Sequence, residues 1–208
     1  MGILDNLEAY IDIELPKEDM LIGTKGLYVM NCVSQDAINQ VIDLEKHLNQ
    51  IDQIHYIRSG FTISEDELST YLTKHINAAI IKYLNVSKKD ISGYIARSSY
   101  EISSWKLGKT MPPHIDTIKY EDEDTHNPRP IINVLLYLTD DYDGGEIVFP
   151  DCGVSLKPKA GSVVVFDSDL MHGVNAVVSG ERKTLESHLY SVNSEDIEEV
   201  KAYGYRVL

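Results

Sequence analysis

The chain is poor in cysteine, in long apolar runs and in clustered positive charge, and each shortage removes a class of protein. Its two cysteines, Cys32 and Cys152, lie far apart and in no Cys-x-x-Cys spacing. That excludes a thiolate metal module and a disulfide-stapled miniprotein. It fits reduced thiols in a cytoplasmic protein, with a single Cys32–Cys152 bridge left open. No apolar stretch approaches the roughly 20 residues of a membrane-spanning helix. Asp5 and Glu8 interrupt the region a signal peptide would need, so the expectation is a soluble, unexported chain with no membrane partner. Lys and Arg number 19 against 33 Asp and Glu, a net charge of -14, and the basic residues form no run. A molecule so charged repels phosphate backbones, and nucleic acid is not an expected partner.

What is present suffices for one core. The 208 residues are 43% apolar, which predicts a single domain over 1–208. Within it, 1–90 reads as mainly helical support, 91–192 as a β-rich core and 193–208 as a C-terminal segment. Met1 to Gly26 reads as an entry segment holding a short strand or helix, and Leu27 to Met30 as a strand. Ser34 is placed to cap a helix running to about Leu48, with Ala37, Ile38, Val41, Ile42 and Leu44 at helical spacing. Ser64 and Glu67 form a capping box before a longer helix whose face is Leu68, Tyr71, Leu72, Ile76, Ile80 and Leu84. From Ile91 the pattern turns to strands, with helical periodicity returning only at Glu195 to Val200. Helices first and short strands afterwards predict an α+β fold whose β part is a two-sheet jelly roll.

The chemistry concentrates between Met111 and Leu189. His114 and Asp116 are two apart, so a strand would project both from one face. Pro112 and Pro113 disfavour a helix before them, and Gly173 permits close approach beside His172. Two imidazoles and a carboxylate on one side of a metal, with the remaining positions open, are the donor set of non-haem Fe(II) oxygenases. His47, His55 and His75 fall in or beside the helical half and read as structural or exposed. The acidic stretch Glu121 to His126 reads as a solvated loop or a lid.

The segment resembles the catalytic core of Fe(II)/2-oxoglutarate-dependent dioxygenases, in particular the prolyl 4-hydroxylase-like branch. The matching text is Trp105-x-x-Gly108-x-x-Met111-x-x-His114-x-Asp116, then Leu135 to Leu138, Gly144-Gly145-Glu146 with Phe149-Pro150, and Pro158 to Ser162 with Phe166. His172-Gly173-Val174 and Gly180-Glu181-Arg182 complete it. The resemblance implies a double-stranded β-helix (jelly roll) core with N-terminal supporting helices. It also implies Fe(II) on His114, Asp116 and His172, 2-oxoglutarate as co-substrate, O2 as oxidant, and ascorbate as a further candidate cofactor. The reaction implied is hydroxylation of an unactivated C–H bond, with a prolyl residue in a peptide or protein as the first candidate. Asp116 favours hydroxylation over halogenation, because related halogenases carry a small residue in its place.

Other assignments stay open at this level. Tyr137 is either the hydroxyl that helps hold the far carboxylate of 2-oxoglutarate or a core tyrosine. Ser179-Gly180 reads as a hairpin between Val174 to Val178 and Arg182 to Tyr190. One register pairs His172 with Ser187 and turns Lys183 to the metal face; a bulge pairs it with His188 and turns Arg182 there. The resemblance favours Arg182 as the 2-oxoglutarate anchor, as does the bidentate fit of guanidinium to carboxylate. Trp105 replaces a tyrosine common in the family. Glu186 and His188 share the face of Arg182 and either shape a polar pocket or meet solvent, and His188 stands where alkylation-reversal enzymes carry a second arginine. Two alternative readings are a hydroxylase of a free amino acid or small metabolite, and a non-catalytic jelly roll binding metal or carbohydrate.

Overall fold

The computed structural model describes residues 19–20, 26–61, 67–88, 94–97, 99–117, 130–202 and 206–207. In chain order the first half forms β1 (Asp19–Met20), β2 (Leu27–Asn31), α1 (Gln35–Glu45), β3 (Gln50–Asp52), β4 (Ile57–Phe61), α2 (Glu67–Ser87), β5 (Tyr94–Arg97) and β6 (Tyr100–Trp105). The second half forms β7 (Met111–His114), β8 (Pro130–Tyr137), β9 (Asp143–Gly144), β10 (Ile147–Phe149), β11 (Val154–Leu156), β12 (Ser162–Asp167), β13 (His172–Val174), β14 (Val177–Ser179), β15 (Arg182–Val192), α3 (Ile197–Ala202) and β16 (Arg206–Val207).

Two antiparallel sheets make the jelly roll. The major sheet runs β1-β2-β12-β8-β15-β6-β4-β3, with β5 added along β15 and β16 along β5; the minor sheet runs β11-β10-β13-β7. A short β9–β14 pair stands apart from both. Alternation along each strand sorts its side chains into two layers. In β12, Val163 and Val165 join Ile132, Val134 and Leu136 of β8 in the core beneath α1 and α2. Val164 and Phe166 face the other way, where they meet Leu135 and Tyr137 of β8 and Ile147 and Phe149 of the minor sheet. The helices therefore brace one face of the major sheet, and the minor sheet closes over the other.

The helical support departs from expectation in two places. Ser34 does cap α1, its Oγ accepting from the Ala37 N–H at 3.3 Å, but the helix stops at Glu45. His47 and Leu48 donate to the carbonyls three residues back, Leu44 and Glu45, which tightens the last turn before β3 begins. Strands β3 and β4 were not expected. Ile57-Arg58-Ser59-Gly60-Phe61 has no apolar alternation; it becomes a strand by pairing with the edge of β6, Ile57 opposite Ser104. Ser64, Ile91 and nearly all of the entry segment lie outside the described residues. Cys32 and Cys152 form no disulfide. Among the described residues no helix is long and apolar enough to cross a membrane.

Gly161 ties three strands together before the site is built. Its N–H donates to the Tyr137 carbonyl at 2.9 Å, and its own carbonyl accepts from Cys32 and Val33 at 3.0 and 3.1 Å. At φ +87° a Cβ would stand 2.4 Å from the Val33 carbonyl oxygen. Gly161→Ala is therefore expected to cost about 2 kcal/mol or more, from strain plus backbone overlap. Urea unfolding checks this, and an unchanged midpoint would refute it.

Candidate active site

His114 ends β7 and His172 opens β13, and the two are directly paired across the minor sheet. A Cβ on Gly173 would lie 2.8 Å from the Met111 carbonyl oxygen, so glycine lets these strands approach closely. The imidazole centroids are 4.4 Å apart. Asp116 does not reach the site by strand alternation, because β7 ends at His114 and a turn follows. The Asp116 N–H donates to the Ser168 carbonyl at 3.0 Å, and that bond holds the turn. His114 Nε2 lies 3.3 Å from one carboxylate oxygen of Asp116, and His172 Nε2 lies 3.5 Å from the other. The three candidate ligand atoms all fall within 4.8 Å of one another.

Backbone carbonyls set the tautomers. His114 Nδ1 donates to Pro112 O at 2.9 Å, and His172 Nδ1 donates to Leu170 O at 2.9 Å. A carbonyl can only accept, so each Nδ1 carries a proton and each Nε2 faces the cluster, a donor to Asp116 when the ring is cationic and a lone pair for a metal when it is neutral. Burial resists ionisation of Asp116, but its hydrogen bond with His114 and the nearby His172, His188 and His114 charges hold the carboxyl below its usual range. The hydrogen bond to Asp116 raises His114 against the opposing effect of burial. His172 is lowered, chiefly by burial, in spite of Asp116. The donor set and spacing fit a divalent metal, since neighbouring positions around an ion at roughly 2.1 Å lie about 3 Å apart.

The same cavity, about 230 Å³, extends from these residues to Arg182. Arg182 opens β15 opposite Trp105 of β6 and is 1% exposed. Its guanidinium carbon lies 5.2 Å from the Trp105 ring centroid and 4.9 Å from that of Tyr137. One Nη donates to the Tyr137 hydroxyl at 2.9 Å, while Nε is buried without a partner. The Trp105 indole N–H and the Tyr142 hydroxyl are likewise buried and unsatisfied. Burial raises the Tyr137 phenol, against the lowering effect of Arg182. Its hydroxyl thus stays protonated and, having accepted from Arg182, can still donate. A buried cation beside unfilled donors is costly alone and suits a carboxylate.

Residues 100–190 match the family model described as the 2OG-Fe(II) oxygenase superfamily. The matched segment contains His114, Asp116, Tyr137, His172 and Arg182. The chain is 35% identical over 104 residues to a PKHD-type hydroxylase of Colwellia psychrerythraea, which covers 46% of this chain and 46% of that protein. It is 29% identical over 124 residues to probable prolyl 4-hydroxylase 10 of Arabidopsis thaliana, 44% of this chain and 43% of that one. The chain thus spans less than half the length of these relatives. In fold it is similar to the viral collagen prolyl hydroxylase of Paramecium Bursaria Chlorella virus-1, with TM-score 0.66, 20% identity, 84% of this chain and all of that one covered.

Within the matched segment, the expected hairpin is absent. Strand β14 pairs with β9, whereas β15 pairs with β8 and β6. His172 therefore faces neither Ser187 nor His188 as a strand partner, since the chain passes from the separate β9–β14 pair into the major sheet at Ser179 to Glu181. Alternation along β15 alone then turns Arg182, Thr184, Glu186 and His188 to the cavity. Lys183 faces the helices, its Nζ 2.5 Å from Glu45, and Glu45 also accepts from Ser104 Oγ at 2.7 Å. His55 and His75 bond to the carbonyls of Thr110 and Tyr71. Glu121 to His126 lies outside the described residues.

Asn133 of β8 also belongs to the site, although no sequence motif points to it. Its Nδ2 donates to Asp116 at 2.5 Å. Its Oδ1 accepts from Ser168 Oγ at 3.0 Å and from His188 Nδ1 at 2.8 Å. Two donors on the amide oxygen fix which end of Asn133 meets Asp116. The available signal was a single polar residue inside the apolar run Ile131 to Leu138. Asn133→Ala is expected to weaken Fe(II) binding about 10- to 100-fold by releasing Asp116, measured by anaerobic metal titration. Unchanged affinity would remove Asn133 from the site.

Proposed function

We propose that this protein is an Fe(II)- and 2-oxoglutarate-dependent dioxygenase that hydroxylates an unactivated C–H bond, with a prolyl residue in a peptide as the first substrate to test. The observation that carries this reading is the buried Arg182, with an unfilled Nε and Tyr137 on its Nη, at the far end of the cavity that holds His114, Asp116 and His172. An open triad by itself suits many metals. An anion seat in the same cavity suits a metal that must share the site with a dicarboxylate.

In this reading His114, Asp116 and His172 hold Fe(II) by their Nε2 atoms and a carboxylate oxygen. The bound iron would supply O2 activation coupled to conversion of 2-oxoglutarate to succinate and CO2. Arg182 and Tyr137 would bind and orient the far carboxylate, Trp105 and Phe166 would shield the interior from water, and Asn133 would hold the Asp116 rotamer. These side chains supply position and protection.

The test is an anaerobic optical titration of metal-free protein with Fe(II), then 2-oxoglutarate. A visible metal-to-ligand charge-transfer band that needs both supports the reading and justifies a screen of proline-containing peptides for succinate release. Bound metal without a band points instead to a metal- or carbohydrate-binding jelly roll.

A further inference from the structure

Glu186 is the feature of the cavity that the proposed chemistry leaves unused. It projects into the cavity from β15, between Thr184 and His188 on the face that begins with Arg182. Thr184 Oγ1 donates to its carboxylate at 3.2 Å, which holds the side chain along the wall. The carboxylate opposite it on β6, Glu101, is bridged by Arg58. Among the described residues no Lys or Arg pairs with Glu186, and the one guanidinium lining the cavity, that of Arg182, is directed to Tyr137.

Charge within the cavity makes this informative. Fe(II) brings two positive charges and Arg182 one; 2-oxoglutarate brings two negative charges and Asp116 one. Those cancel. Glu186 then leaves one negative charge uncompensated among the apolar walls of Met111, Leu135, Ile147 and Val174. An unpaired charge in such a setting is unfavourable until a cation meets it. Beside it, Tyr56 and Trp105 are stacked with centroids 5.1 Å apart and line the same cavity. Trp105 already carries Tyr56 and the Arg182 guanidinium against its ring, so the outer face of Tyr56 is the aromatic surface offered beside the carboxylate, a general arrangement for an organic cation.

We propose that Glu186, with Tyr56 backed by Trp105, forms a cation subsite, so that the substrate presents an ammonium or guanidinium group close to the C–H bond to be hydroxylated. This rests on the oxygenase reading above and narrows its substrate class. The cation can belong to a free amino acid or to a basic side chain flanking the reacting residue in a peptide.

The test uses the full chain with Fe(II) and 2-oxoglutarate, held anaerobically, and isothermal titration with matched probes. The free-molecule arm compares Nα-acetyl-L-arginine with Nα-acetyl-L-citrulline for a side-chain cation, and L-norleucine with Nα-acetyl-L-norleucine for the α-ammonium. The peptide arm compares a terminally blocked Gly-Arg-Pro-Gly peptide with its citrulline counterpart. Cationic members of at least one arm are expected to bind roughly 10- to 100-fold tighter than their neutral partners, the range of a charge-assisted hydrogen bond. Glu186→Gln is expected to erase that preference, and Glu186→Lys to reverse it toward acidic probes, with thermal unfolding confirming that both variants fold. The arm that responds identifies the source of the cation. Equal binding of charged and neutral partners, no cation binding at millimolar concentration, or a preference that survives in folded Glu186→Gln overturns the proposal. The charge-transfer band, read in the same samples, separates the cases. Its absence means the oxygenase reading has failed, and its presence without cation preference means only this inference has.

Discussion

His172→Ala is expected to remove Fe(II) binding and turnover together. The residue is 7% exposed, its Nδ1 is committed to Leu170, and its Nε2 stands 3.5 Å from Asp116. Losing it strips one of the two nitrogen donors that stand against Asp116. The affinity loss should exceed the roughly 100-fold attached to second-sphere contacts. The fold should survive. His172 packs against Phe166, centroids 4.7 Å apart, at the edge of a cavity rather than inside the main core, so an unfolding loss of about 1–3 kcal/mol is expected. Metal titration and urea unfolding on one preparation separate the two effects. Retained iron affinity in a folded variant would sink the ligand assignment.

The second large effect is on the co-substrate. Arg182→Ala is expected to raise the 2-oxoglutarate concentration needed for the charge-transfer band by about 30-fold or more, the consequence of roughly 2–5 kcal/mol lost with a buried charge-paired contact, while Fe(II) affinity changes little. Arg182→Lys keeps the charge and loses the planar fork, so it should recover only part of the affinity. Lys183→Ala is the comparison. Its side chain compensates Glu45, which is 2% exposed, on the helix side of the sheet. Breaking that pair should cost about 3–5 kcal/mol of stability and leave the 2-oxoglutarate requirement alone. If Lys183→Ala raises the requirement and Arg182→Ala does not, the anchor has been assigned to the wrong residue.

Much of the site could be named from local pattern. The His-x-Asp, the distant His-Gly and the ordered glycine and proline text between them lie within the stretch that matches the superfamily. Tyr137 was open between a core role and an anion contact; its hydroxyl accepts from Arg182. Strand alternation holds in β8, where Asn133 and Leu135 face the cavity, Tyr137 lies on the same side, and Val134 and Leu136 face the helices. Alternation does not decide which strands are neighbours. Val177 to Ser179 and β15 are adjacent in sequence with a turn between them, so a hairpin was the natural expectation, yet they sit in different sheets.

The sequence by itself determined the two-layer β architecture braced by helices, and it named the three candidate metal ligands and the two competing cations. Those depend on side-chain period and residue chemistry, which are properties of a few consecutive residues. Tertiary structure alone decided that Asp116 arrives from a turn held by Ser168, that Asn133 orients it, that Lys183 is drawn to Glu45, and that Glu186 stands in the cavity with no Lys or Arg against it among the described residues. Each of these is a contact between residues 17 to 138 positions apart or a cavity closed by two sheets. Local period sets which residues share a face. Which face meets which neighbour depends on the pairing of distant strands, where the burial of the whole core outweighs any local preference.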